Sequence, residues 1–197
     1  MQKKIIATLS IIAIALVALL VMQASREEGI PKPRGYFRIE LPDKKYEAYT
    51  SACGMQMQLP TYSKVEVRKE NDKGDTCKFD IAFHRFKARI HCSHLPVNGN
   101  LEDLINEAYG FAATHQVKAS AMKRTLVDNP ANHVHGIIYD IEGDAASQIQ
   151  FFLTDSTQHF FRGALYFFNT PNPDSVEPVL NFLREDLQRL TDSFSWK

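Results

Sequence analysis

The sequence lacks the charge imbalance that marks proteins acting on nucleic acids. Its 197 residues include 23 Lys and Arg and 23 Asp and Glu, so the formal net charge is zero. A protein that binds nucleic acid neutralises phosphates and therefore carries a basic excess or a basic stripe. An acidic solvating tail is missing as well. We therefore expect no nucleic acid among its partners.

The common enzyme motifs are also missing. There is no Gly-x-Ser-x-Gly elbow, no phosphate-binding loop and no dinucleotide-binding glycine pattern. One short stretch, "TDSTQHFFRG", does hold the residue types of a hydrolase triad: Asp155, Ser156 and His159. A triad is usually assembled from distant chain positions, whereas polar residues at one tight turn hydrogen-bond their own backbone. We therefore expect a hairpin turn there and no enzymatic activity.

A metal or cofactor site is equally hard to find. No zinc-finger spacing occurs among the seven histidines and three cysteines. His133 and His135 share one face of a predicted strand, but no third ligand is evident nearby. The sequence therefore predicts neither a metal nor a cofactor.

One long hydrophobic run opens the chain, from Ile5 to Met22. These 18 residues contain no charge. A helix needs roughly 20 apolar residues to cross a bilayer, with about 17 as the lower limit. Lys3 and Lys4 precede the run, which predicts a cytoplasmic N-terminus and a domain on the other side. We favour an uncleaved membrane anchor. A cleaved signal peptide and lipid processing are the alternatives, and all three export the domain.

Composition divides the rest of the chain in two. Residues 25–35 are predicted to be a linker, because Pro31, Pro33 and two glycines oppose regular structure. Residues 1–24 are expected to be the signal or anchor, and residues 36–197 are expected to form a single exported α+β domain.

Strand and helix patterns in that domain predict a largely antiparallel sheet. Before the first helix, strands are predicted in "YFRIEL", "MQMQL", "KVEVR", "CKFDIAF" and "KARIHCSHL"; after it, they are predicted in "MKRTLVD", "HVHGIIYDIE", "SQIQFFLTD" and "HFFRGALYFF". The first helix should run from Asn100 to about Lys118, and the last should begin at Asp174 or Ser175. The last two strands are apolar on both faces, so we expect helices to cover both faces of the sheet.

Cysteine is scarce: only Cys53, Cys77 and Cys92 are present. If the domain is exported to an oxidising compartment, the simplest expectation for three cysteines is one disulfide and one free thiol. Strand alternation in "KARIHCSH" places Cys92 beside Ala88 and Ile90 on one face, as a small buried residue. We therefore favour a Cys53–Cys77 disulfide. The two other pairings and three free thiols are the alternatives.

The segment before the first predicted strand has the features of a recognition surface. Pro31 and Pro33 pre-extend it, so less entropy is lost when it orders against a partner. Arg34, Tyr36 and Arg38 are residue types enriched at binding hot spots. The alternative is that Tyr36 packs on its own domain and the arginines are solvated.

A second candidate surface is the tip of the hairpin in "TDSTQHFFRG". Asp155 and His159 are the side chains that we include there as candidate partner-binding residues.

Three stretches, "PKPRGYFRIELP", "YDIEGDAASQIQFFLTDSTQHFFRGALYF" and "NPDSVEPVLNFLREDLQRL", closely resemble the gliding motility lipoprotein family GldD. The likeness runs from about Pro31 to Lys197. It implies a cell-envelope protein that is required for gliding and linked to type IX protein secretion, without known enzymatic activity. Other gliding and secretion envelope proteins are the implied partners. The family's cysteines match Cys53 and Cys77, in agreement with the favoured pairing.

One feature departs from that family. Its members end the signal with a lipobox cysteine, whereas "LLVMQASREE" has none and the first cysteine is Cys53. We therefore expect an uncleaved helix in the inner membrane, and not a lipid, to anchor the domain at the periplasmic face. The order of strands and helices also resembles the PsbP-like fold, a sheet between helices. A PsbP-like ligand-binding or accessory module is the alternative function.

Overall fold

The computed structural model describes residues 14–19, 21–22, 39–68, 77–116, 119–143, 145–168 and 173–197. Residues Ile39–Lys197 belong to one compact unit, and Met1–Arg38 to another. In the N-terminal unit, residues 14–19 and 21–22 are helical. No helix within the described ranges is long and apolar enough to cross a membrane. The rest of the expected anchor, the expected linker and residues 36–38 lie outside the described residues.

In the described part of the larger unit, five strands precede the first long helix, four strands lie between the two long helices, and one short strand follows the second. The strands are β1 (Tyr46–Thr50), β2 (Met55–Pro60), β3 (Lys64–Val67), β4 (Cys77–Phe83), β5 (Ala88–Pro96), β6 (Ala119–Asn129), β7 (Val134–Gly143), β8 (Ile149–Thr154), β9 (His159–Phe167) and β10 (Ser195–Trp196). The helices are α1 (Leu101–Gln116) and α2 (Pro173–Asp192). Short 3₁₀ turns join β4 to β5 at His84–Phe86 and β6 to β7 at Pro130–Asn132.

The strands form two antiparallel sheets. The small sheet has the order β1-β2-β10, and the large sheet has the order β3-β4-β5-β9-β8-β7-β6. Every strand pair recorded among the described residues is antiparallel. Tight connections such as the β8–β9 turn explain this, because two adjacent strands joined by a short turn must run in opposite directions. The expectation of a largely antiparallel sheet is confirmed.

One face of the large sheet, here called the inner face, holds the main core. Phe79, Phe151 and Phe161 stand on this face and are almost fully buried. Phe161 stacks on Phe79 at 6.0 Å and on Phe194 at 5.2 Å between ring centroids. The apolar stripe of α2 and the side chains of β2 close this face. The sequence pattern of α2, with apolar residues every three to four positions, therefore buries one side of the helix against the sheet.

The opposite, outer face is covered differently. Helix α1 packs Leu104, Ala108 and Ala112 against the end of the sheet that holds β6–β9. Farther along this face, β4 and β5 present Asp80, Arg89 and other polar side chains. The expectation that helices cover both faces therefore holds only in part. The physical reason is visible in "CKFDIAF" and "KARIHCSH", whose alternate positions are charged and are not suited to burial under a helix.

The first predicted strand is misplaced. "YFRIEL" alternates, but its described residues 39–41 are not in a strand, and the first strand is β1, which begins at Tyr46. Strand β1 is short and half-exposed, so its pattern is weak. It is held by polar contacts with α2: the carboxylate of Asp186 lies 2.7 Å from Lys44 Nζ and accepts hydrogen bonds from the hydroxyls of Tyr46 at 2.8 Å and Tyr62 at 2.5 Å.

A disulfide joins the small sheet to the large one. Cys53, in the β1–β2 turn, is bonded to Cys77 at the start of β4. Cys92 is free and buried in β5, on the inner face. Burial raises the pKa of its thiol far above the ordinary value, with the nearby Asp80 carboxylate adding to the effect. Cys92 is therefore a core residue and not a reactive thiol.

Candidate functional site

The hairpin tip between β8 and β9 is a closed turn. One carboxylate oxygen of Asp155 accepts hydrogen bonds from the backbone N–H groups of Thr157 at 3.0 Å, Gln158 at 2.8 Å and His159 at 2.8 Å. Burial raises the pKa of Asp155, but these three hydrogen bonds outweigh burial and hold it below its ordinary value. Ser156 adopts a positive φ of 66° at the tip. The three triad-type residues therefore shape a turn, as expected from the sequence.

His159 faces its own domain. Its Nδ1 lies 3.0 Å from Nε2 of His94, and its ring stacks on Trp196 with centroids 5.1 Å apart. Burial lowers the pKa of His94, and the neighbouring His159 lowers it further. Asp155 and His159 are thus engaged in intramolecular contacts, and their role in partner binding stays a prediction. Arg34, Tyr36 and Arg38 lie outside the described residues, so the role predicted for them also stays a prediction.

A groove of about 380 Å³ lies on the outer face, beside α1 and across β4, β5, β7, β8 and β9. Its polar lining includes Arg68, His91 and Arg162, and its aromatic lining includes Phe111 and Tyr166. Ligand sites combine apolar walls with a few convergent polar groups in this way. The groove is therefore the candidate functional site.

Arg162 is the central side chain of the groove. Strand β9 carries it, and its Nε donates a hydrogen bond to Ser93 Oγ on β5 at 3.0 Å. Helix α1 supplies two further contacts one turn apart: Glu107 lies 3.3 Å from Nη1, and the Phe111 ring lies 4.7 Å from the guanidinium carbon. Residues four apart on a helix share one face, so α1 holds the guanidinium between a charge and a ring.

The β4 end of the groove is organised by a buried carboxylate. Asp80 is only 1% exposed. Arg89 Nη1 and His91 Nδ1 each lie 2.7 Å from its oxygens, and Arg68 Nε lies 3.1 Å away. Burial raises the pKa of Asp80, but the hydrogen bonds from His91 and Arg89 outweigh burial and hold the pKa below its ordinary value. Asp80 is therefore ionised at neutral pH and fixes the side chains of Arg68, Arg89 and His91 on the outer face.

The floor of the groove holds an unsatisfied amide. Gln150 on β8 is 6% exposed and lines the groove. Its Nε2 has no hydrogen-bond partner among the described residues. A buried donor without an acceptor costs roughly 1–3 kcal/mol. A ligand acceptor in the groove would recover that cost.

No local sequence pattern indicated this groove, because its lining residues come from five strands, one helix and the segment after β3. Register brings them together: Asp80 pairs with His91, His91 with Ala164, and Ala164 with Gln150. The available signal was a polar residue inside an otherwise apolar strand, such as Gln150 in "SQIQFF" or Arg162 in "HFFRGAL". Within the described ranges, no three His, Cys, Asp or Glu side chains are placed to hold a metal ion.

Comparison with known proteins gives a structural likeness and a family. The solution structure of cyanobacterial PsbP (CyanoP) from Synechocystis sp. matches 82% of this chain and 98% of that chain, with 11% sequence identity and a TM-score of 0.47. No curated protein matches the sequence significantly. Residues 26–196 match the family described as gliding motility lipoprotein GldD. The chain therefore belongs to the GldD family of gliding motility lipoproteins.

Proposed function

We propose that this protein supports gliding motility as a non-enzymatic component of the cell envelope, acting by binding another envelope protein. The single observation that carries the proposal is family membership over residues 26–196. A participation in type IX protein secretion is part of the same proposal, and it comes from the resemblance described above. The other gliding and secretion proteins of the envelope are the proposed partners.

The distribution of aromatic side chains supports binding to a protein. Inside the domain, aromatic rings pack against one another in the core. Phe152 and Phe160, for example, stack with ring centroids 5.2 Å apart. Beside the groove, Tyr109 and Phe111 on α1 are 39% and 45% exposed. Aromatic and arginine side chains dominate the energetics of protein interfaces. Phe111 and Arg162 therefore form the proposed contact centre of this domain. The segment that holds Arg34 and Tyr36 is a separate proposed contact.

A small ligand is the second candidate occupant. Its support is the size of the groove, about 380 Å³, which falls in the range typical of small-molecule sites. A small ligand extracted with the purified protein and lost on denaturation would favour this candidate. A groove that is occupied only in a crosslinked complex with another envelope protein would favour protein binding, the first candidate.

Tethering by residues 1–24 at the periplasmic face is part of the proposal. The family is one of lipoproteins, which supports an association with an envelope membrane. The first cysteine in this sequence is Cys53, and it is bonded to Cys77, so acylation of a cysteine is not proposed. Fractionation and sequencing of the mature N-terminus test this point. A soluble mature protein that begins near Ser25 contradicts the tether.

The test of the function is a deletion strain complemented with the full chain. We expect the deletion to abolish gliding and reduce secretion through the type IX system, and the full chain to restore both. The double variant Arg34→Ala and Tyr36→Ala separates the N-terminal segment from the rest: a recognition role requires loss of gliding at a normal melting temperature. Normal gliding and secretion in the deletion strain would contradict the proposal as a whole.

A further inference from the structure

We propose that the groove binds one carboxylate side chain, an Asp or Glu presented by the partner protein, at Arg162 and Gln150. The inference rests on the proposed function and names the chemistry that the partner must present. It is carried by the donors of the groove, by the loose contact between Arg162 and Glu107, and by the charge balance of the outer face.

The first argument is the geometry of Arg162. A guanidinium has five N–H donors in a planar fork, suited to a carboxylate. The Nε of Arg162 is used by Ser93. Among the described residues, Nη1 contacts Glu107 at 3.3 Å but forms no hydrogen bond of good geometry. By comparison, Arg184 makes two short contacts with Asp140, at 2.7 and 2.8 Å. Arg162 is thus held in place with its fork incompletely used.

The second argument is the position of Gln150 relative to Arg162. Gln150 pairs with Ala164, and Arg162 is two residues before Ala164 on the same strand, so the two side chains are diagonal neighbours on the outer face. Diagonal positions on adjacent strands are roughly 7 Å apart, and both side chains are long enough to meet one ligand. The unsatisfied Nε2 of Gln150 supplies a donor where the guanidinium supplies charge.

The third argument is charge, which favours a carboxylate over a phosphate. The guanidinium groups of Arg68, Arg89 and Arg162 are already accompanied by the carboxylates of Asp80, Glu66 and Glu107. Among these three carboxylates, that of Glu107 has the most exposed side chain, at 48%. A partner carboxylate that takes the place of Glu107 at Arg162 keeps one negative charge on one guanidinium, whereas a phosphate with a charge of about −2 would exceed that pairing. Glu107 is therefore the internal competitor of the ligand.

The experiment is an NMR titration of the isotope-labelled full chain in detergent micelles. The probes are the peptide acetyl-Gly-Glu-Gly-amide, its glutamine counterpart and inorganic phosphate. We expect the glutamate peptide to shift the side-chain signals of Arg162 and Gln150, with at least about tenfold weaker binding by the other two probes, the ratio expected for loss of one charge-assisted contact.

Four variants, one of them a matched control, decide the assignment. Arg162→Met should abolish the response, and Glu107→Gln should strengthen binding of the glutamate peptide about threefold to tenfold, because it removes a competing charge. Arg124→Met is the matched control: its guanidinium also lies over a ring of α1, Tyr109 at 4.9 Å, but outside the groove lining. It should bind as the parent does. Where Arg162→Met unfolds, Glu107→Gln and Gln150→Leu decide.

Three results would overturn the inference: phosphate binding as tight as the glutamate peptide, unchanged binding in a folded Arg162→Met protein, or weaker binding in Glu107→Gln. A complete absence of shifts with the glutamate peptide also overturns it. None of these results bears on whether the protein is required for gliding, because the deletion strain measures that separately. A failure of the carboxylate site can therefore be distinguished from a failure of the proposed function.

Discussion

Two adjacent residues on β9 show how differently the two faces of the large sheet are used. Phe161 points to the inner face, is fully buried and stacks on two other rings. Arg162 points to the outer face, where its side chain is 27% exposed and bordered by Ser93 and Glu107. Since side chains alternate along a strand, one strand serves both faces. The comparison indicates that the inner face stabilises the domain, and it is consistent with the proposal that the outer face binds a partner.

The energetics of the two faces differ for the same reason. Large rings on the inner face lose contact with water, and each contributes on the order of 2–3 kcal/mol. Close packing there leaves no space even for a methyl group at Gly163, where an added Cβ would lie 2.4 Å from the ring of Phe151. Partly exposed ion pairs, such as Arg162 with Glu107, contribute at most about 1 kcal/mol. Substitutions on the two faces should therefore separate stability from function.

The largest effect is expected on the inner face. Phe161→Ala should lower the free energy of unfolding by about 3–5 kcal/mol, because it leaves a cavity under α2. Urea unfolding of the purified protein measures this. Phe168→Ala is the control, since Phe168 is 61% exposed, and it should change the free energy by less than about 0.5 kcal/mol. Equal losses in both variants would contradict the division between the faces.

The disulfide should have the next largest effect. Cys53→Ala with Cys77→Ala removes a bond that closes a separation of 24 residues, which is worth about 3 kcal/mol in the chain-entropy model. The urea midpoint should fall accordingly, and mass spectrometry of unreduced peptides should find Cys53 linked to Cys77. A linked peptide that contains Cys92 would show that the placement of Cys92 on the inner face is wrong.

A smaller effect, dependent on pH, is expected at Asp80 on the outer face. Because the folded pKa is held below the ordinary value of 3.8, this carboxylate stabilises the fold above that pH, and the contribution is lost as the pH falls through the lowered folded pKa. Asp80→Asn should therefore flatten the dependence of the urea midpoint on pH below about 4. Asp128→Asn, at an exposed carboxylate, is the control. An unchanged acid dependence in Asp80→Asn would contradict this account.

Local sequence patterns predicted the strands better than they predicted the site. Alternation in "KARIHCSH" correctly separated Ile90 and Cys92 from Arg89 and His91, because that period depends only on neighbouring residues. The same rule misplaced the first strand, since residues 39–41 alternate without pairing. Strand β10 was not predicted at all, because a two-residue strand has no pattern of its own.

The groove was beyond prediction for a different reason. Its chemistry depends on which strands are neighbours in the sheet, and β5 pairs with β9 although 62 residues lie between Pro96 and His159. Nothing in a local window specifies that pairing. The hairpin tip at Asp155 shows the opposite case: the three backbone hydrogen bonds that its carboxylate accepts are local, and turn chemistry predicted the turn.

The most direct test of the central claim is the gliding of cells that carry Phe111→Ser, compared with cells that carry Leu126→Ser. Both side chains are exposed, Phe111 on α1 and Leu126 on β6. Phe111 lines the groove, whereas Leu126, which is 80% exposed, does not. Both variants should melt within a few degrees of the parent. We predict that Phe111→Ser cells lose most of their gliding and Leu126→Ser cells glide normally. Normal gliding of Phe111→Ser cells at a normal protein level would contradict the claim that the groove is the working surface.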